Sequence, residues 1–182
     1  MSTDSLVSPE AIARFVVTLP PEPSRLADAL RKDIASAFTA LTDTNDAFRH
    51  LALKAKARLV IMVPYIDWVG ADWACELFEL TQAPERVLIL RDAHQLDNCG
   101  AGGARLCRTA TRLLDYGGDA ADDETFHAKI VLADGVAAYV GSANLLRRSK
   151  DVNLECGMLV EGPAVLSIKV VVDAVLSTFE LG

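Results

Sequence analysis

The segment FHAKIVLADGVAAYVGSAN, residues 126–144, decides the fold of this 182-residue chain. Most of its residues are apolar or small, which is typical of buried strands. The central Asp134-Gly135 pair is a strong signal for a two-residue hairpin turn. We therefore predict two strands, over 127–133 and 136–141, joined by this turn.

The same segment carries two ionisable side chains on one strand face. Side chains alternate along a strand, so His127 and Lys129 point to the same side. The other side, which faces the core, receives four apolar residues: Phe126, Ala128, Ile130 and Leu132. The polar pair is thus predicted to line a cleft while its strand anchors the sheet.

The flanking sequence alternates between strand and helix signals. Its apolar patterns predict further strands at 58–66, 86–91 and 153–160, and helices at 70–80, 104–115 and 164–179. We interpret the glycine-rich stretch 97–103 as a loop, because no GK[ST] sequence follows it. Strand–helix–strand order at this spacing indicates parallel βαβ units and an α/β fold.

The first third of the chain is predicted to be helical. Helix starts are expected at Ser8-Pro9-Glu10, at Ser24 after a proline-rich break, and at Asp43 for a helix that reaches Ala55. This pattern predicts an N-terminal helical segment, 1–55, followed by a domain, 56–182, that contains the strands.

Composition excludes several classes of protein. No apolar run approaches the roughly 18 residues of a membrane-spanning helix, and the N-terminus lacks the basic and then apolar pattern of a secretory signal. The cysteines form no CxxC pair and have no zinc-ligand spacing: Cys75, Cys99, Cys107 and Cys156. We expect reduced thiols, no metal or other cofactor, no membrane insertion and a cytoplasmic location.

Charge limits the partners of the chain. The net charge of −7 argues against a protein that coats nucleic acid generally. Segment 105–150 is the exception, with seven basic and six acidic residues, so a polyanion could still be met there.

Polar and glycine residues recur at fixed spacing through the deciding segment and beyond it. They are His127-x-Lys129, Asp134 after four residues, Gly141-Ser142-x-Asn144 after six more, and Glu155 eleven residues later. This pattern resembles the HKD motif of the phospholipase D superfamily. The resemblance implies an α/β fold with a mixed sheet flanked by helices on both faces, and it implies phosphodiesterase activity without a metal.

The resemblance also implies a role for each catalytic position. His127 would attack phosphorus and form a phosphohistidine. Lys129 and Asn144 would hold the non-bridging oxygens, and Ser142 would add a hydroxyl donor. Glu155 would accept a hydrogen bond from the other imidazole nitrogen and fix its tautomer.

The remaining polar positions have plainer interpretations. Asp134 and Gly141 are expected to be structural, since a hairpin turn fully explains the aspartate. His94 with Asp92 could join His127 in a metal site, but no further ligand stands at a telling spacing. His50 lies among apolar residues of a predicted helix and is expected to be structural.

Superfamily members that resemble this pattern need two motifs, one histidine attacking and the other protonating the leaving oxygen. This chain has three histidines, and neither His50 nor His94 has a lysine two residues later. The second motif must therefore come from another chain. The economical arrangement is a two-fold homodimer in which both copies of residues 127–155 meet at the axis.

Two basic clusters favour a nucleic-acid backbone, DNA or RNA, as the substrate. One is a predicted helix face with Arg105, Arg108 and Arg112, and the other follows Asn144 at the rim of the site with Arg147, Arg148 and Lys150. Ordinary solvated faces are the alternative. The chain also resembles phospholipase D-like components of bacterial anti-phage defence systems, which would place it in a larger defence complex.

Two other functional classes stay open at this point. One is a phospholipid phosphodiesterase or transferase. The other is a non-catalytic nucleic-acid-binding subunit of a larger complex, which the acidic balance and the N-terminal helices favour.

Overall fold

Seven strands form one sheet within the residues that the computed structural model describes, which are 10–34, 42–119 and 125–179. The strands are β1 Ile12–Thr18, β2 Arg58–Val63, β3 Glu85–Leu90, β4 Arg112–Asp115, β5 Ile130–Ala133, β6 Ala137–Gly141 and β7 Glu155–Glu161. Their spatial order is β1-β7-β6-β5-β2-β3-β4. Strands β2, β3 and β4 are parallel and the other neighbours are antiparallel, so the predicted mixed sheet is confirmed.

Helices pack on both faces of this sheet. They are α1 Arg25–Ile34, α2 Thr44–Lys54, α3 Trp68–Leu80, a 3₁₀-helix Ala93–Cys99, α4 Gly100–Thr109, α5 Tyr116–Asp119, α6 Arg147–Asp151 and α7 Val165–Thr178. One apolar cluster joins the sheet to α2, α3 and α4, and a second joins its other face to α7. None of the described helices has the length and apolar character needed to cross a membrane.

The predicted hairpin is present, and its turn ties two parts of the chain together. Asp134 and Gly135 have φ of 53° and 78°, the positive values that a type I′ turn requires. The Asp134 carboxylate accepts hydrogen bonds from the backbone N–H groups of Lys56, Ala57 and Arg58. Burial acts to raise the pKa of Asp134, but these three donors lower it below its usual value.

The N-terminal third is only partly helical. Ser24 caps α1 by accepting from the Ala27 N–H at 3.1 Å, and Asp43 caps α2 by accepting from the Asp46 N–H at 2.7 Å. The predicted first helix was wrong within the described residues, because Ile12–Thr18 forms β1 and pairs with β7. Long-range pairing overrode the local helix-start signal, whose Ser8-Pro9 lies outside the described residues.

Strand β1 concerns the predicted division of the chain into two parts. The boundary between a segment 1–55 and a domain 56–182 remains a prediction. The described part of the first segment nonetheless shares the sheet of the second through β1, and its helix α2 packs on the same core.

The region after β3 also differs from the prediction. The expected loop 97–103 is helical, with the 3₁₀-helix running into α4, and the expected helix 104–115 ends at Thr109 before β4. A Cβ on Gly103 would lie 2.4 Å from the Leu96 carbonyl oxygen, so glycine permits this tight junction. The predicted basic helix face is therefore wrong, because Arg112 lies in β4 and Arg105 is paired with Glu79.

Candidate active site

His127 and Lys129 lie next to each other on the extended segment that leads into β5. His127 is exposed, whereas Lys129 is only 5% exposed. The Lys129 Nζ lies 2.7 Å from His127 Nδ1 and donates to the His127 carbonyl oxygen at 2.7 Å. Burial lowers the pKa of the Lys129 ammonium, although the Glu155 carboxylate nearby acts to raise it.

The predicted strand 127–133 is shorter in the structure, because β5 begins at Ile130 and leaves His127 and Lys129 just before it, but the predicted apolar face is present. Residues Phe126, Ala128, Ile130 and Leu132 belong to the apolar cluster under α7 or pack against it. His127 and Lys129 alternate with them and so lie on the other face. The Lys129 ammonium thus lies on the face away from the apolar cluster under α7.

Ser142 and Glu155 are hydrogen-bonded to each other where β6 ends and β7 begins. The Ser142 hydroxyl donates to Glu155 Oε2 and accepts from the Cys156 N–H at 3.1 Å. Glu155 is 5% exposed, and its Oε1 accepts from Asn153 Nδ2 at 3.4 Å. The expected acceptance from His127 is not among these bonds, so within one chain Glu155 is oriented by Ser142 and Asn153.

Asn144 lies on a loop that is pinned to the start of α3. The Asn144 N–H donates to the Ser149 hydroxyl at 3.2 Å, and the neighbouring Leu145 carbonyl accepts from the Asp67 N–H at 3.0 Å. A Cβ on Gly70 would lie 1.6 Å from that carbonyl oxygen, so only glycine allows the approach. The buried Asn144 Oδ1 has no hydrogen-bond partner among the described residues.

Gly141 is required where β6 reaches the site. A Cβ on Gly141 would lie 2.2 Å from the Tyr139 Oη and 2.7 Å from the Cys156 carbonyl oxygen. Gly157, opposite it on β7, leaves room for the same tyrosine ring. Tyr139 is fully buried, and this burial raises its pKa to about 12. The structural role expected for Gly141 thus has a steric basis.

Two residues at the site carried no predicted role, Tyr65 and Arg91. The Tyr65 ring meets the His127 ring edge-on with 6.0 Å between centroids, and the Arg91 guanidinium carbon lies 4.5 Å from the Tyr65 centroid. Each residue stands just beyond a parallel strand, Tyr65 after β2 and Arg91 after β3. This position in the sequence could have identified both as candidate site residues, because loops at the carboxyl ends of parallel strands often bind ligands.

The basic rim is divided in the structure. Arg147 and Arg148 are exposed on α6 and form no ion pair with any described residue. Lys150 instead turns toward α3, where its Nζ lies 3.8 Å from Glu76 Oε2 and 5.5 Å from the Trp73 ring centroid. The two arginines therefore remain available for a phosphate, whereas the lysine packs against the protein.

The other two histidines lie away from this cluster. His50 contacts Glu161 at 3.0 Å, at the end of β7 opposite Glu155, and His94 contacts Asp97 at the surface. The described part of the chain contains no group of three or more His, Cys, Asp or Glu side chains placed to hold a metal ion.

Comparison with known protein families shows which family this chain belongs to. A family model described as "Cardiolipin synthase, PLD-like domain" matches residues 48–175, which is more than half of the sequence. The chain belongs to this phospholipase D-like family. Among curated proteins, no sequence matches it significantly.

Solved structures agree with the family in their fold. Nuc from Salmonella typhimurium, a phospholipase D family member, has a TM-score of 0.56 and 13% identity over 94% of this chain and 95% of its own. NucT from Helicobacter pylori has a TM-score of 0.57 and 16% identity, covering 93% and 98%. Phosphatidylserine synthase from Haemophilus influenzae Rd KW20 has a TM-score of 0.53 and 16% identity, covering 95% of this chain but 39% of that longer protein.

These likenesses fix the architecture of the chain. At such low identity, the three structures show that this chain has the phospholipase D-like fold. Members of the phospholipase D superfamily are phosphodiesterases. Within this fold, His127 contacts Lys129, Ser142 is hydrogen-bonded to Glu155, and the Glu155 carboxylate lies near enough to Lys129 to act on the pKa of its ammonium.

Proposed function

We propose that this protein is a metal-independent phosphodiesterase that cleaves nucleic acid through a phosphohistidine at a dimer interface. The observation that carries the proposal is the contact between an exposed imidazole, His127, and a buried ammonium, Lys129. A nucleophile open to solvent stands beside a fixed positive charge. This arrangement suits attack on an anionic phosphodiester.

The proposed reaction has two balanced steps. A neutral His127 nitrogen attacks phosphorus, the bond from phosphorus to the leaving oxygen breaks, and that oxygen takes a proton from a second histidine ring in its imidazolium form. Water then attacks the phosphohistidine, giving its proton back to the second imidazole, and the bond from phosphorus to His127 breaks. The products are a phosphomonoester and an alcohol, and no redox partner is involved.

Hydrogen-bond donors of the site would stabilise the charge that develops on phosphorus. Lys129 is buried and held by the His127 carbonyl, so its ammonium needs little reorganisation. The Asn144 side chain would add the N–H donors of its amide group to the same role. Glu155 accepts from Ser142 and Asn153, which leaves acceptor capacity for an imidazole N–H of either chain.

A second copy of the chain would supply the second imidazole. The sequence contains no other histidine followed by a lysine two residues later. An exposed apolar row crosses β1, β7 and β6 on the α7 face of the sheet, the face opposite to His127 and Lys129, where Phe15 lies opposite Met158 and Met158 lies opposite Val140. Such a patch favours burial against a partner, and the incomplete site favours an identical one.

Nucleic acid is the favoured substrate because exposed cations flank the site. Arg147 and Arg148 follow the Asn144 loop directly and are not engaged in ion pairs with described residues. A repeating phosphate backbone can occupy several such cations at once.

A substrate panel tests the proposed activity. The pure protein is incubated in EDTA with labelled single- and double-stranded DNA, with RNA, and with phosphatidylglycerol vesicles, beside the His127→Ala variant. We expect cleavage of nucleic acid that is lost in the variant. Cleavage of the lipid alone would overturn the substrate class, and no cleavage of any substrate would favour a non-catalytic binding subunit.

A mixing experiment tests the shared site. Wild-type and His127→Ala chains are co-expressed in equal amounts and purified together. If each site needs two copies of His127, activity falls to about a quarter of the wild-type value, because only wild-type pairs are active. A site complete within one chain would retain about half.

A further inference from the structure

A cavity of about 430 Å³ lies beside the proposed active site, at the carboxyl ends of β3 and β4. It is lined by Arg91, Asp92, His94, Asp115, Gly117 and Thr125. Arg91 follows the last residue of β3, and Asp115 is the last residue of β4. Thr125 stands two residues before His127, so the cavity adjoins the segment that carries the nucleophile.

Arg91 is held in place without being neutralised. Its guanidinium stacks on Tyr65 at 4.5 Å, and it forms no ion pair with any described residue. The Arg91 carbonyl accepts from the Gly117 N–H at 2.8 Å, and a Cβ on Gly117 would lie 2.4 Å from that oxygen. Stacking leaves the N–H edge of a guanidinium free to bind an anion.

The cavity and the nucleophile lie in line along the edge of the sheet. In the sheet order β6-β5-β2-β3-β4, Ser142 follows β6, His127 precedes β5, Tyr65 follows β2 and Arg91 follows β3. Tyr65 touches both His127 and Arg91 and so bridges the two. A substrate with more than one phosphate could therefore span from the reacting position to Arg91.

We propose that this cavity binds the nucleotide next to the scissile phosphate of a polynucleotide, with Arg91 holding the neighbouring phosphate. The proposal rests on the nucleic-acid function argued above. A phospholipid with a single phosphodiester has no second phosphate to offer Arg91. The Asp92 carboxylate, which also accepts from the His94 N–H at 2.9 Å, disfavours a phosphate deep inside the cavity but suits the hydroxyl and amino donors of a nucleoside.

Arg91→Gln tests the proposal against two substrates of different size. One is a labelled twelve-residue oligonucleotide and the other is bis(4-nitrophenyl) phosphate, which has no flanking phosphate. We expect kcat/KM for the oligonucleotide to fall about 10- to 100-fold more than for the small diester, because a charge-assisted hydrogen bond is lost. Arg108→Gln is the matched control, since that exposed arginine lies in the last turn of α4, near the amino-terminal ends of β3 and β4 and away from the cavity at their carboxyl ends.

Equal losses on both substrates would overturn the subsite, because they would mean that Arg91 acts only through Tyr65 on His127. Unchanged cleavage of both substrates would overturn it as well. Binding of the same oligonucleotide gives an activity-independent readout, and Arg91→Gln should reduce the slope of log K against log salt by about 0.7. An unchanged slope would contradict the phosphate contact.

Different experimental outcomes would overturn the proposed nucleic-acid function and the proposed nucleotide subsite. Cleavage of the small diester and of phosphatidylglycerol vesicles, but not of the oligonucleotide, would overturn the nucleic-acid function and the subsite with it. Cleavage of the oligonucleotide with equal losses in Arg91→Gln would overturn the subsite alone.

Discussion

Glu155 accepts a hydrogen bond from Ser142, and this bond closes the junction between β6 and β7 beneath the proposed active site. The carboxylate also raises the pKa of the buried Lys129, against the larger effect of burial. A single acidic group thus orients one polar side chain and supports the charge of another.

Glu155→Gln should therefore reduce the catalytic rate strongly and change the free energy of unfolding little. The amide keeps the size of the side chain but removes the charge that favours the Lys129 ammonium and an imidazolium. We expect kcat to fall on the order of 10² to 10⁴, by analogy with the carboxylate of a catalytic triad. Steady-state rates measure this, and Glu79→Gln on α3, which only loses a surface pair with Arg105, should retain full activity. A rate within two-fold of wild type would remove Glu155 from the mechanism.

The divided basic rim predicts two different outcomes. Replacing Arg147 and Arg148 together with Ala should reduce the slope of log K against log salt by about 1.4 to 1.8, because each phosphate contact contributes about 0.7 to 0.9. Lys150→Ala should leave the slope unchanged and lower the thermal midpoint, since Lys150 packs against Trp73 and Glu76. Fluorescence anisotropy with a labelled oligonucleotide at several salt concentrations compares the two, and an unchanged slope in the double variant would exclude α6 as a phosphate track.

The hairpin turn and the apolar face of the segment before it were predictable because both are local in sequence. Asp134-Gly135 specifies its turn from two residues, and strand alternation alone places His127 and Lys129 on the face away from the α7 cluster. The partners of Glu155 and Lys150 were not predictable in this way. Their contacts depend on how β7 and α6 pack against distant elements.

Strands β1 and β4 were not predicted for a similar reason, because they depend on contacts with other strands. Four of the seven residues of β1 are exposed, so its apolar pattern is incomplete, and its pairing with β7 spans most of the chain. β4 has four residues and pairs with β3 only. Short edge strands of this kind owe their conformation to the neighbouring strand rather than to their own sequence.

Glu161 should make the stability of the fold depend on acid pH. Hydrogen bonds from Lys54 at 2.5 Å and from His50 at 3.0 Å lower the pKa of Glu161 to about 2. A carboxylate whose pKa is lower in the folded state stabilises it above the unfolded value of about 4.3, and that contribution is lost as the pH falls toward 2. Glu161→Gln should thus be less stable at pH 7 and lose less between pH 4.5 and 2.5. Urea unfolding at these pH values measures it, and parallel pH profiles for the two proteins would contradict the assignment.

Gly141→Ala should destabilise the protein through its clash with Tyr139 and the Cys156 carbonyl. We expect a loss of about 1 to 3 kcal/mol in the free energy of unfolding, as for other overpacked sites. Gly102→Ala is the control, because its Cβ would meet the end of the Asp72 side chain, which can move, and alanine favours the helix. Denaturant titration compares them, and equal stability of the two variants would show that the β6–β7 junction tolerates a side chain.

The central claim is that His127 forms a covalent bond to phosphorus without a metal. The most direct measurement is acid-quenched trapping in EDTA, with a substrate that carries phosphorus label, followed by peptide mapping. We predict acid-labile label on the peptide that contains His127, and none in the His127→Ala variant. Turnover in EDTA with no label on any peptide, or with label on a different residue, would contradict the account.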